Sequence, residues 1–199
     1  MPRSHSHWID LHEDHFLRRL EGSLRPVQGW GNFRRGARHA AVNTILFHRD
    51  QEWKIPFVLR SPDLRSHPGQ VGLPGGGVEP GESAVQSALR ETEEEIGVPA
   101  GGLRVLGATG SLYAAVTNYN VAIFVSYLAG PPARFTWPPG ELEGVIEVPV
   151  SLLLDHHAWS LQGPYVGPQL QTQGAVIWGL TANILHRDLL PRLRTALKP

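Results

Sequence analysis

The chain has 199 residues, a length suited to one domain with additions. Its 18 Lys+Arg balance 18 Asp+Glu, so it lacks the basic field that nucleic acid or a membrane surface selects. It has no cysteine, which excludes disulfides, thiolate metal sites and cysteine nucleophiles.

In chain order, the spacing of Trp8, Ile9, Phe16, Leu17 and Leu20 predicts a helix over 8–21. Residues 22–37 are rich in Gly, Arg and Pro and read as a linker. Strands are expected over 39–48 and 54–61, joined as a hairpin by the turn at 49–52. The Pro and Gly residues of 62–81 exclude regular helix. Residues 83–96 predict the clearest helix, with Ser83 and Gln86 in a capping-box pattern and Gly97 as the stop. Strands follow over 103–112, 121–128 and 144–150, then a helical turn over 151–156 and a polar connection with strand potential over 164–174. A last helix is expected over 177–190, stopped or kinked at Pro191. Strands around one central helix give an α+β layered fold. The division expected is an N-terminal helix and linker, 1–36, and a main domain, 37–199. No apolar run is long enough for a signal peptide or a spanning helix, so a soluble, cytoplasmic protein is expected.

The chemistry concentrates in and around the central helix. At about 100° per residue, Ala84, Ala88, Thr92, Val85, Ile96 and Leu89 form one continuous apolar stripe. Glu91 and Glu95 fall about 20° either side of Ala84, Glu94 about 80° away, and Glu93 opposite. A solvated acidic face is the plain alternative, but Glu91 and Glu95 are a like-charge i,i+4 pair at the edge of the buried stripe. A hard divalent cation relieves such a cluster of oxygen donors. The glycines before the helix bring backbone, and a carbonyl, to the same place.

The string Gly76-x5-Glu82-x7-Arg90-Glu91-Thr92-x-Glu94-Glu95-x-Gly97-Val98 resembles the Nudix box, GX5EX7REUXEEXGU. Only Thr92 departs, where a bulky aliphatic is usual. The resemblance implies an α/β/α sandwich around a mixed sheet and Mg²⁺- or Mn²⁺-dependent hydrolysis of a nucleoside diphosphate derivative. It implies Glu91, Glu94 and Glu95 as metal ligands and catalytic groups, the Gly75 carbonyl as a further ligand, and Glu82 as support of the metal shell. Arg90 is then a clamp on box glutamates. Glu91 is the first choice of general base, with Glu141, Glu143 and Glu147 behind it.

Upstream, Arg60-Ser61-x3-Arg65-x3-Gly69-x-Val71-x2-Pro74-Gly75-Gly76 resembles the motif LLTxRSxxxRxxxGxVxFPGG of coenzyme A diphosphatases. Pro56-Phe57-Val58 and Leu73 depart from it. The resemblance implies coenzyme A or its thioesters as substrate, with Arg60, Ser61, Arg65, Gly69 and Gly76 as substrate-binding positions. Arginine forks suit phosphate oxygens. Another nucleoside diphosphate derivative, or a non-catalytic nucleotide-binding domain, stands as the alternative. The expected partner is a small nucleotide, with no nucleic acid and no membrane; a homodimer is compatible. Tyr119 is a candidate platform for an adenine ring. His67 is the one histidine expected beside the site, and His12, His15, His156 and His157 read as surface residues.

Overall fold

The computed structural model describes residues 5–28, 34–64, 67–172 and 174–198, with side chains from Asp14 onward. Arg65, expected to bind substrate, lies outside the described residues, as do the side chains of Trp8, Ile9 and His12.

The hairpin forms as expected. Strands β1 (Arg38–Arg49) and β2 (Glu52–Arg60) pair antiparallel from Phe47↔Lys54 to Arg49↔Glu52. Asp50 and Gln51 turn the chain with φ of 56° and 61°, the left-handed pair that matches the twist of a tight hairpin. Beyond that end the two strands part, and two short strands enter between them. β3 (Val71–Gly72) pairs with β2 at Val58 and Leu59, and β4 (Gly75–Gly77) pairs with β1 from Val42 to Ala40. The link between them is fixed by the Asn43 N–H, which donates to the Pro74 carbonyl at 2.8 Å.

β5 (Leu103–Ala114) and β6 (Tyr119–Leu128) form a second antiparallel pair. β6 runs parallel to β1 from Arg38↔Tyr119 to Phe47↔Leu128, which makes the sheet mixed. β7 (Leu142–Pro149) covers the other side of β2.

Period-two alternation sorts the sheet's side chains into two layers. Ile45 and Phe47 join Ile96 on the side of helix α2 (Ala84–Ile96). Leu46, Ile55, Phe57, Ile123 and Val125 face the other way. There they meet Phe16, Leu17 and Leu20 of α1 (His5–Ser23), Leu153 of α3 (Val150–Leu154), and the C-terminal helices. The result is the expected helix–sheet–helix arrangement. The N-terminal segment adds its own backbone pairing: the Arg25 N–H donates to Ala108 O at 2.8 Å, and the Ala108 N–H to Arg25 O at 3.0 Å. Among the described residues no helix is long and apolar enough to cross a membrane.

The C-terminal region departs from expectation in two places. Ile177 belongs to strand β10 (Val176–Ile177) rather than to a helix. It completes a small antiparallel sheet with β8 (Trp159–Ser160) and β9 (Gln169–Gln171). Helix α4 starts at Gly179 and ends at Ile184, followed by a π-turn over Leu185–Leu189. The helix does not stop at Pro191. It continues as α5 (Leu190–Ala196), with Pro191 in the first turn after the wide π-turn. A first-turn position tolerates the missing N–H.

A buried polar chain ties α2 to the sheet. Thr92 Oγ1 donates to Ala88 O at 2.7 Å and accepts from Asn43 Nδ2 at 3.2 Å. Asn43 Oδ1 accepts from Ser126 Oγ at 2.8 Å. All three residues are fully buried. This pairing is the structural reason for threonine at the box position that departs from a bulky aliphatic. We expect Thr92→Val to destabilise the protein by about 1–3 kcal/mol, because it orphans a buried amide donor. Denaturant unfolding reads this directly, and an unchanged midpoint would contradict it.

Candidate functional site

Helix α2 is set by its ends. Ser83 at the N-cap accepts from the Gln86 N–H, and the Gln86 side chain accepts from the Ser83 N–H at 2.9 Å. Gly97 closes the helix at φ 70°, its N–H donating to Glu93 O. With both ends fixed, the rotation of each glutamate is fixed as well. Glu93 is exposed, whereas Glu95 is buried at 7% exposure. The Glu91 side chain is 18% exposed and that of Glu94 58%.

The glycine strip β4 lies against this face. A Cβ on Gly75 would sit inside contact distance of Val42, 2.6 Å from its Cα, and would also overlap the Ala41 carbonyl. A Cβ on Gly76 would overlap the carboxylate of Glu91. Gly75 excludes a side chain by close approach to backbone, whereas at Gly76 a side chain would displace the Glu91 carboxylate. That approach lets the Gly75 N–H donate to Glu95 Oε2 at 2.9 Å.

Arg90 gathers the other acids. Its Nε donates to Glu82 Oε1 at 3.0 Å, and its Nη1 lies 2.9 Å from both Glu91 Oε1 and Glu94 Oε2. Its Nη2 donates to Gly77 O at 3.2 Å, the carbonyl that also accepts from Ser87 Oγ at 3.1 Å. Arg90 thus ties the loop 77–82 to the helix. Its hydrogen bond to Glu82 lowers that carboxyl from its ordinary value, against a smaller opposing effect of burial. Glu91 moves the opposite way: burial raises it, against the opposing pull of Arg90. Burial also raises Glu95, to about 7, with the Gly75 N–H opposing and the Glu91 charge adding to the rise.

Arg60, at the end of β2, has Nη2 3.8 Å from Glu141 Oε1, and its charge acts on Glu95. Its Nε is buried and finds no acceptor among the described residues. Glu141 also adds to the electrostatic field at Glu91 and Glu95. Glu147 instead pairs with Arg49, and Glu143 is exposed. Ser61 and Gly69 shape the loop. The Ser61 Oγ accepts from the Asp63 N–H at 3.3 Å, and its own N–H donates to Glu141 O at 3.0 Å. Gly69 has φ 64° in the turn that returns Gln70 O to the Arg60 N–H at 3.0 Å. His67 belongs to that turn, with Nδ1 2.8 Å from Gln70 Oε1. The links Asn43–Thr92 and Ser87–Gly77 leave no signal in the sequence, since Thr92 is a box position but its partner Asn43, like Ser87 and Gly77, is not a fixed position of the pattern.

The donor chemistry of this face suits a hard cation: carboxylate oxygens, two of them costly to ionise where they stand. Among the described residues no three acidic or histidine side chains converge into a ready cage. The carboxylates are instead distributed, Glu82, Glu91 and Glu94 on Arg90 and Glu95 on Gly75.

A pH dependence follows. A carboxyl raised from 4.5 to about 7 by folding favours the folded state while protonated. That contribution is complete below pH 4.5 and is lost as pH rises through 7, a difference of about 3 kcal/mol. We therefore expect Glu95→Gln, which keeps an acceptor for the Gly75 N–H, to stabilise the metal-free protein at pH 8 and to change little at pH 4.5. Thermal unfolding in a chelator at the two pH values checks it. Equal effects at both would contradict the burial of the charge.

Comparisons with known proteins agree with this architecture. Residues 37–166 match the family profile of the NUDIX domain. An uncharacterized Nudix hydrolase NudL of Yersinia enterocolitica is 32% identical over 166 residues, covering 79% of this chain and 83% of that protein. The uncharacterized Nudix hydrolase NudL of Photorhabdus laumondii is 35% identical, covering 75% and 82%. Among solved structures, the Nudix hydrolase RenU of M. smegmatis superposes with a TM-score of 0.58 at 17% identity, covering 85% of this chain and 90% of that one. The NUDIX domain of Shewanella oneidensis NrtR, solved with ADP ribose, gives 0.52 at 18%, covering 83% and 91%. These two structural likenesses bear on the fold alone. With the family profile spanning well over half of the chain, and relatives above 30% identity, the chain belongs to the Nudix hydrolase family, whose members use divalent metal ions to cleave pyrophosphate bonds of nucleoside diphosphate derivatives.

Proposed function

We propose that this Nudix hydrolase cleaves the pyrophosphate of coenzyme A or its thioesters, giving 3′,5′-adenosine diphosphate and a 4′-phosphopantetheine product. The observation that carries the reading is Arg60. Its guanidinium stands at the rim of the glutamate site; among the described residues its buried Nε has no acceptor and its one ion pair is the 3.8 Å contact with Glu141. Spare planar donors beside a site for phosphate chemistry suit a further phosphate group, such as the 3′-phosphate of coenzyme A. The motif that resembles coenzyme A diphosphatases, Arg60 to Gly76, runs through this position.

Glu91, Glu94, Glu95 and the Gly75 carbonyl would hold Mg²⁺ or Mn²⁺, with Glu82 in support. When bound, such an ion neutralises pyrophosphate charge and lowers the pKa of water. Glu91 takes a proton from the attacking water at a carboxylate oxygen; Glu141, in reach of the same field, is second choice. Arg90 keeps Glu91 and Glu94 oriented and fixes the loop through Glu82. Arg60 and Arg65 bind phosphate oxygens, and Gly69 and Gly76 give the backbone room to approach.

Steady-state rates on coenzyme A and on dephospho-coenzyme A test the substrate. We expect kcat/KM to favour coenzyme A by about tenfold or more, and Arg60→Gln to bring the ratio toward one, since a charged hydrogen bond contributes about 1.5–3 kcal/mol. Equal rates in the unaltered protein would refute the coenzyme A assignment and leave another nucleoside diphosphate derivative as substrate.

A further inference from the structure

The stretch from Ala158 to Leu185 contains no Asp, Glu, Lys, Arg or His. The chain as a whole is 18% charged, so these 28 residues would ordinarily carry about five charges. Burial does not account for their absence. Leu161, Val166 and Leu180 are exposed apolar side chains, and Gln162 and Gln171 are exposed beside them in the chain. Exposed apolar surface gathered in one neutral segment marks a binding face.

The centre of the segment is a pair of rings. Tyr165 and Trp178 stack with centroids 3.9 Å apart and planes 6° apart. The stack joins the loop between β8 and β9 to the N-cap of α4, and Gln169 Nε2 holds the loop by donating to Tyr165 O. Val166 follows one ring in the chain and Leu180 lies two residues beyond the other. The segment also adjoins the loop that carries Arg60. Thr181 Oγ1 donates to Val71 O at 3.0 Å. Val71 pairs with Leu59, the residue before Arg60, and the Arg60 N–H donates to Gln70 O. The neutral face therefore starts beside the residue proposed to bind phosphate.

The pantetheine arm is the one part of coenzyme A without charge. It offers methyl and methylene groups and two amides. A charged surface would have to give up hydration to receive it, whereas apolar side chains and side-chain amides match it group for group. We infer that this face binds the neutral pantetheine arm of the substrate, laid over the Tyr165–Trp178 stack between Val166 and Leu180. The inference rests on the coenzyme A reading and assigns the arm to the C-terminal segment, apart from the glutamates and from Arg60. The arm does not react, so its binding energy serves to hold the pyrophosphate in place.

Titration calorimetry of the full chain in Mg²⁺, with 4′-phosphopantetheine and methyl phosphate as probes, tests it without turnover. Both are phosphate monoesters, and only the first has the arm. We expect the unaltered protein to bind 4′-phosphopantetheine about tenfold more tightly, the return on burying roughly two methylene groups. Val166→Asp and Leu180→Asp should each reduce that preference and together abolish it, while methyl phosphate binding stays unchanged. Tyr165→Phe keeps the stack and should retain the preference. Val166 is 95% exposed, so its replacement reads the face without disturbing the core. Equal binding of the two probes to the unaltered protein would overturn the inference. So would a preference that survives both aspartates; if they then split a dimer into monomers, the face belongs to a second copy of the chain. A protein that favours coenzyme A over dephospho-coenzyme A yet shows no preference for the arm would overturn this inference and leave the coenzyme A reading standing. Equal rates on those two nucleotides, with an arm preference that the aspartates abolish, would sustain the face and refute the reading of the 3′-phosphate.

Discussion

The site depends on how closely one strip of backbone approaches a helix. Gly75 runs against β1 at a distance that leaves no room for a Cβ, and Gly76 lies directly against the Glu91 carboxylate of α2. Because they do, a backbone N–H reaches Glu95, and Glu95 can stand nearly sealed from water with its carboxylate hydrogen-bonded. An unpaired buried carboxylate is costly enough that it usually neutralises or finds a partner. Here one amide meets part of that cost, and the rest is held as a raised affinity for a proton. The same unmet charge suits a divalent cation, as the proposed function requires.

The remainder of the structure keeps this strip and this helix in register. β1 and β2 separate beyond their shared turn, and the gap between them admits β3 and β4. Asn43 is central there. Its N–H holds Pro74, and its side chain joins Thr92 of the helix to Ser126 of β6. Arg90 works from the other side, binding the loop through Glu82 and Gly77 while spacing Glu91 from Glu94. One buried amide network and one half-buried guanidinium thus fix the same helix from opposite faces.

Much of this was legible locally. The capping box at Ser83 and Gln86, the stop at Gly97 and the 3.6-residue period placed α2 and turned Glu93 outward and Glu95 inward. The hairpin at 49–52 followed from alternating apolar residues around a polar turn. The glycines of 75–77 pointed to close backbone approach. What sequence could not supply was long-range pairing. Thr92 reads as a small substitute in an apolar stripe until Asn43 is seen opposite it. The C-terminal helix was misjudged because Ile177 and Trp178 share its apolar period, yet Ile177 pairs with Leu170 in a small sheet. Pro191 reads as a stop only if the turn before it is an ordinary one. Ser61 and Gly69 carry a family motif, and in the structure their bonds and dihedrals shape the loop that carries Arg60.

The central claim is that the acids of α2 beneath the glycine strip form the cation site of this enzyme. A crystal structure of the protein soaked in Mn²⁺, with anomalous scattering to locate the metal, tests it most directly. The expected result is a peak bounded by Glu91, Glu95 and the Gly75 carbonyl, with Arg90 still gripping Glu82. A saturating soak that leaves those groups as they stand, or places the metal away from α2, would contradict it.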